Sequence, residues 1–179
     1  MTSIAIVREK EIGTMEILLV SPMKPIYIVL SKITPYFVLS FVNFATIMLL
    51  SVFVLKVPIA GSLMSLVAVS LLYIFVSLSL GLLVSTVTNS QQAAMLISGM
   101  GLMLPVMLLS GMIFPVENMP VALQWLSDIV PAKWYISAVK SIMIKGLGIS
   151  YVLKEVGILS LMSVVLVGIS VKKFKIRLE

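Results

Sequence analysis

Four stretches of this chain are each apolar enough and long enough to cross a lipid bilayer, at 33–55, 62–87, 92–114 and 152–171. A crossing helix needs about 20 mainly apolar residues. Hydrocarbon offers the backbone no hydrogen-bonding partner, so each stretch must satisfy its own N–H and C=O groups by coiling into a helix. Composition agrees with this reading. Of the 179 residues, 60% are hydrophobic and 11% are charged, against about 45–50% and about 25% in soluble domains. The expectation is an all-α, polytopic membrane protein with about four transmembrane helices, organised as a single transmembrane domain over 1–179.

The links at 56–61 and 88–91 are short, so consecutive helices should be antiparallel neighbours. Arg8, Lys10, Lys24 and Lys32 precede the first span, and Lys172, Lys173, Lys175 and Arg177 follow the fourth. By the positive-inside rule both termini and the tail 172–179 are cytoplasmic, in a multi-pass protein of the cell membrane. Lys133, Lys140, Lys145 and Lys154 then fall on the outer side. Residues 1–7 are too short for the apolar core of a cleavable signal peptide. The net charge of +6 would suggest nucleic acid in a soluble protein. Here the basic residues flank apolar spans, and anionic lipid headgroups account for them without nucleic acid.

Several function classes are missing their chemistry. The chain has no Cys and no His, which removes thiolate sites, the commonest metal ligand and the usual neutral-pH general base. No cofactor is implied, and a membrane-embedded enzyme has no cluster of His, Cys or carboxylate to work with. Between Ile33 and Val116 the only charged residue is Lys56. Ion- and proton-driven transporters need charged partners within their spans, so a proton relay is disfavoured. A phosphate-cradling G-x-x-x-x-G-K-[ST] loop is also absent. Energy for active transport would have to enter through another polypeptide.

Two segments outside the spans carry more pattern. Residues 8–22 read REKEIGTMEILLVSP. A short helix from about Thr14 would have Thr14 as its N-cap and Glu16 in the first turn, where the helix dipole favours negative charge. It would place Met15, Leu18 and Leu19 on one face, with Gly13 at the turn before it and Pro22 after it. Such a helix lies along the membrane surface and suits a soluble partner. In the outer segment 115–151, Pro120 and Pro131 each can start a short helix, and Trp125, Trp134 and Tyr135 suit the headgroup level. These short helices are read as interfacial or re-entrant.

Residues 8–22 resemble the coupling helix of ABC-2 permeases, the transmembrane halves of ATP-driven exporters, whose pattern is R-E-x-E-x-G-T-x-E-x-L-L-x-x-P. Arg8, Glu9, Glu11, Gly13, Thr14, Glu16, Leu18, Leu19 and Pro22 stand at the matching places. The outer segment resembles the region before the last helix of drug-exporter-type members, through LSGMIFP at 109–115, Met119–Pro120, LQWLS at 123–127, PAKW at 131–134 and Lys145–Gly146. The resemblance implies a permease subunit, itself no enzyme, partnered by an ABC ATP-binding subunit and by a second permease subunit in a homo- or heterodimer among membrane lipids. It implies export of hydrophobic drug-like or lipid-like substrates. The coupling residues would be Arg8, Glu9 and Glu11 as polar docking contacts, Gly13 at the turn, Thr14, Glu16 and Pro22 as its frame, and Met15, Leu18 and Leu19 in the ATPase groove. Family members usually have six helices and a large extracytoplasmic domain between the first two. This chain therefore resembles the C-terminal half, lacking that N-terminal helix and domain. The competing expectation is a non-transporting scaffold or assembly protein, or an inactive permease fragment.

Within the spans, Ser77, Gly81 and Ser85 recur every fourth residue and read as a close helix-packing stripe. Asn43, Gly99, Gly101, Pro105 and Gly111 are candidates for a path or gate: one deep polar residue and several bend-permitting ones. Met95, Met100, Met103, Met107 and Met112 cluster in the third span, where adaptable thioethers fit either a path for apolar molecules or plain packing.

Overall fold

The computed structural model describes residues 2–4, 6–12, 25–57 and 59–176. The described residues are helical and turn structure, with no strand among them. A 3₁₀ turn, Thr2–Ile4, leads into the short helix α1, Val7–Ile12. Next come α2, Pro25–Phe53, and α3, Leu63–Val87. Helix α4 runs from Gln91 to Leu109 with a π-helical turn, Ile97–Leu102, inside it. Two short helices follow, α5 at Val121–Ile129 and α6 at Pro131–Met143, before the last, α7 at Leu153–Ile176. Four of the helical stretches, Leu30–Phe53, Leu63–Val87, Gln91–Leu109 and Ile149–Lys173, are long and apolar enough to cross a membrane. The protein is an all-α polytopic membrane protein.

Helix α3 is central. Its longest partner is α7, with α2, α6 and the Thr2–Ile4 turn also packed on it. Its hydroxyls do not need polar neighbours, because Ser70, Ser79 and Thr86 each donate to a carbonyl of the preceding turn at 2.8 Å. Back-bonding of this kind lets a polar residue sit in an apolar helix. Helix α2 lies at the periphery, with Val38, Leu39, Phe41, Val42, Leu49 and Leu50 exposed. An apolar surface of that extent suits acyl chains rather than water.

Helix ends follow local chemistry. Ser62 and Ser90 accept N-cap hydrogen bonds from Ser65 and Ala93, which satisfies amides that the first turn leaves free. After α2, Lys56 takes φ +51 and Val57 donates to the Ser51 carbonyl at 3.1 Å. The helix thus stops at a left-handed residue, with lysine where glycine is usual. The sequence suggested a third span reaching Phe114, since Met112, Ile113 and Phe114 prolong the apolar run. The helix stops at Leu109, because Gly111 at φ +77 turns the chain away. Two contacts hold the turn: Lys140 donates to the Gly111 carbonyl at 3.0 Å and Ser127 to the Leu109 carbonyl at 2.7 Å.

Candidate functional site

The segment 2–12 is fastened to three helices at one end of the bundle. Ile6 and Val7 are fully buried. Their backbone N–H groups, at the start of α1, have no acceptor within that helix. Ser85 on α3 supplies one: its Oγ accepts from Ile6 at 2.9 Å and from Val7 at 3.1 Å. One turn earlier, Gly81 lets Thr2 and Ser3 lie against α3, and a Cβ there would stand 3.1 Å from the Thr2 Cβ. Glu9 pairs with Lys32 on α2. Glu11 reaches α4, where one carboxylate oxygen accepts the Gln91 backbone N–H at 2.8 Å and the other accepts from the Gln91 side chain.

Gln91 is the first residue of α4. The Glu11 carboxylate therefore sits where unpaired amides and the helix dipole favour negative charge. The Gln91 backbone amide, and after it the Gln91 side chain, hold the Glu11 carboxyl below the ordinary carboxylate range. Arg8 is exposed, and with Glu9, Ile12, Lys32 and Tyr36 it lines an open cavity of about 790 Å³. Gly13, Thr14, Met15, Glu16, Leu18, Leu19 and Pro22 lie outside the described residues.

A second cavity, of about 390 Å³, opens beside the π turn. An α-helix would need the Pro105 N–H for the Gly101 carbonyl, and proline has none. The wide turn falls just before that proline, at a Ser-Gly-Met-Gly run with little side-chain bulk. Gly101 and Pro105 line the cavity together with Tyr73 and Ser77 of α3 and the α5–α6 junction. Tyr73 and Ser77 lie one turn apart on α3. The Tyr73 ring stacks on that of Tyr135 of α6, centroids 4.2 Å apart. The Ser98 Oγ, which belongs to a lining residue, is buried without a hydrogen-bond partner among the described residues.

The structure therefore divides the residues that the sequence grouped. Gly81 and Ser85 pack the chain's own N-terminal segment, whereas Ser77 is exposed toward the π-turn cavity. Gly101 and Pro105 share that cavity. Gly99 is exposed, with open space where a Cβ would stand, Gly111 forms the turn after α4, and Asn43 is exposed on α2 away from both. Sequence reasoning missed Gln91 and Ser98. Gln91 stands 80 residues from Glu11, and a lone polar residue at a span's start carries no sign of its partner.

Comparison with known proteins decides the family. The family model described as "ABC-2 family transporter protein" matches residues 1–172. The chain belongs to the ABC-2 transporter family. It is 35% identical, over its whole length, to the "Probable multidrug ABC transporter permease YbhS" of Escherichia coli, of which it covers 48%. The "Probable multidrug ABC transporter permease YbhR" of the same organism is 35% identical over 80% of the chain and 39% of the relative. "ABC transporter G family member 20" of Dictyostelium discoideum is 30% identical over 87% of the chain and 21% of the relative. The ABC-2 chain thus spans about half the length, or less, of the curated relatives it matches. No solved structure matches it.

Proposed function

We propose that this ABC-2 chain is a permease subunit of an ATP-driven exporter of hydrophobic, drug-like or lipid-like molecules, energised by a separate ABC ATPase subunit and working beside a second permease subunit. Residues 8–22 form the coupling segment on the cytoplasmic face, and both ends of the chain lie on that side. Arg8 gives a polar docking contact, Glu9 and Glu11, expected from the sequence to dock as well, tie the segment to α2 and α4, and Met15, Leu18 and Leu19 fill the ATPase groove. The observation that carries this reading is the fastening of residues 2–12, immediately ahead of the coupling segment, onto the ends of α2, α3 and α4. A push on the segment reaches the helices through hydrogen bonds and an ion pair instead of being lost in a loose tail. Nucleotide-driven closure of the ATPase would then move α2 and expose a path alternately to the two sides.

The test is a pull-down from native membranes using the tagged wild-type chain and a Leu18→Asp, Leu19→Asp variant, read by mass spectrometry. An ABC ATPase captured by wild type and lost from the correctly inserted variant is the expected result. Capture by neither would remove the permease role, and equal capture by both would remove the docking site from this segment.

A further inference from the structure

Lys133, Lys140, Lys145 and Lys154 all lie between the end of α4 and the first turn of α7. Nothing in the coupling segment or the apolar spans uses them. The fold brings three of them to one place. Lys133 and Lys140 stand two helical turns apart on α6 and so share a face, with Ser141 next in sequence. Lys145 follows in the turn after the helix, where its backbone N–H donates to the Lys140 carbonyl at 3.4 Å. The three lysines line an open cavity of about 280 Å³, walled also by Gly111, Pro115 and Val116 of the turn after α4.

The chain supplies little negative charge to this cavity. Glu117 is the one carboxylate in its wall. Of the other two at this end, Asp128 pairs with Lys133, and Glu155 accepts from the Ser137 hydroxyl at 3.3 Å. Among the described residues, Lys140 and Lys145 have no ion-pair partner. Lys140 spends one N–H on the Gly111 carbonyl at 3.0 Å, which leaves two of its three donors for a ligand. A compact ammonium group of this kind is a phosphate binder.

The surroundings favour a phosphate that belongs to a lipid. Helix α4 ends and α7 begins here, so the cavity lies where the spans leave the hydrocarbon. Trp125 and Tyr151 are exposed nearby in sequence, as suits the headgroup level. The turn after α4 also borders an apolar groove of about 430 Å³. Leu109 and Phe114 line that groove, whereas Ser110 and Pro115, the next residues along the chain, line the lysine cavity. A basic cavity beside an apolar groove matches a molecule with an anionic head and an acyl tail. We propose that the lysine-lined cavity between α6 and the turn after α4 binds the phosphate of an anionic phospholipid, whose acyl chain lies in the adjoining groove. Bound there, the lipid bridges α6 to the end of α4 and holds the short helices in the headgroup layer. It is a structural ligand and not the transported molecule, so the site stands apart from the permease reading.

The full chain in a non-ionic detergent is titrated with phosphatidylglycerol and, separately, with phosphatidylcholine, the bound lipid being counted by native mass spectrometry. Phosphatidylglycerol should bind about tenfold more tightly, since each nearby lysine adds roughly fivefold for an anionic lipid. Lys145→Gln should cut that preference about fivefold on the same ground, and Lys145→Arg should keep it. Lys154→Gln removes the same charge at the same end but from outside the cavity, and should leave the preference whole. Phosphatidylcholine affinity should be equal in all four proteins, which a misfolded variant could not show. Inorganic phosphate at the lipid's concentration should displace none of it. No preference in wild type, full preference in Lys145→Gln or equal loss in Lys154→Gln would overturn the inference. Displacement by inorganic phosphate would overturn the lipid assignment and leave a site for a free anion.

Discussion

At the end of the bundle where α2 begins, Ile6, Ile33, Leu78 and Leu82 form a small apolar cluster, and the segment 2–12 is added to it by Ser85, Lys32 and Gln91. At the opposite end the cluster is Leu66, Val69, Ala138, Ile142 and Val152, and backbone packing does most of the fastening. There Gly61 touches the end of α6 so closely that a Cβ would lie 2.4 Å from the Ile142 carbonyl oxygen. Ala60 donates to the Met143 carbonyl at 3.2 Å, and Gly146, at φ +66, closes against Ala60. One end uses polar contacts that can be exchanged and reformed. The other adds close backbone contacts at Gly61 and Gly146 to side-chain hydrogen bonds such as Ser70–Tyr135. On the proposed function, a moving part belongs at the first end and an anchor at the second.

This contrast can be broken from either side. Gly61→Ala should be the most damaging change, because the obstacle is backbone; overpacking of this kind costs about 3 kcal/mol, read as a lowered melting temperature in detergent. Ser85→Ala should come next. It removes the one oxygen that two buried N–H groups share, a loss of about 2 kcal/mol. Because the loss is confined to residues 2–12, it should appear as faster proteolysis of the N-terminal segment while the spanning helices stay protected.

Smaller effects sharpen the same contrast. Asp128→Asn removes the Lys133 ion pair at the anchored end, with the carboxylate half exposed; an exposed pair of this kind is worth less than about 1 kcal/mol, so melting should barely move. Glu11 should give the smallest stability change and the clearest pH signature. Its carboxyl is held below the ordinary range by Gln91, so its contribution is complete above the unfolded-state value and is lost as pH falls through the lowered one. The amide resonance of Gln91 in nanodiscs should therefore be constant from neutral pH down to the ordinary carboxylate range and shift only below it. In Glu11→Gln that acid-side shift should vanish.

Much of the fold was legible because lipid leaves an apolar run of 20 residues no alternative to a helix. The short helices α5 and α6 were legible through Pro120 and Pro131, which have the right φ for a helix start. Where α4 stops was not: Met112, Ile113 and Phe114 continue the hydropathy, and only the positive φ of Gly111 ends the helix. The spacing of Ser77, Gly81 and Ser85 gave a shared face but not its occupant. That occupant is the N-terminal segment for two of them and a cavity for the third. The link from Glu11 to Gln91 joins residues 80 apart, and neither composition nor periodicity encodes such a pairing. The family motif at 8–22 was readable without any structure.

The most direct test of the account places a photo-crosslinking residue at position 18 and, separately, at position 125, in the intact membrane. Position 18 belongs to the proposed coupling segment, and Trp125 lies exposed on α5. The account predicts that irradiation joins an ABC ATPase to position 18 and only lipid or membrane partners to position 125, with the ATPase adduct altered by nucleotide. An ATPase adduct from position 125, or none from position 18, would contradict it.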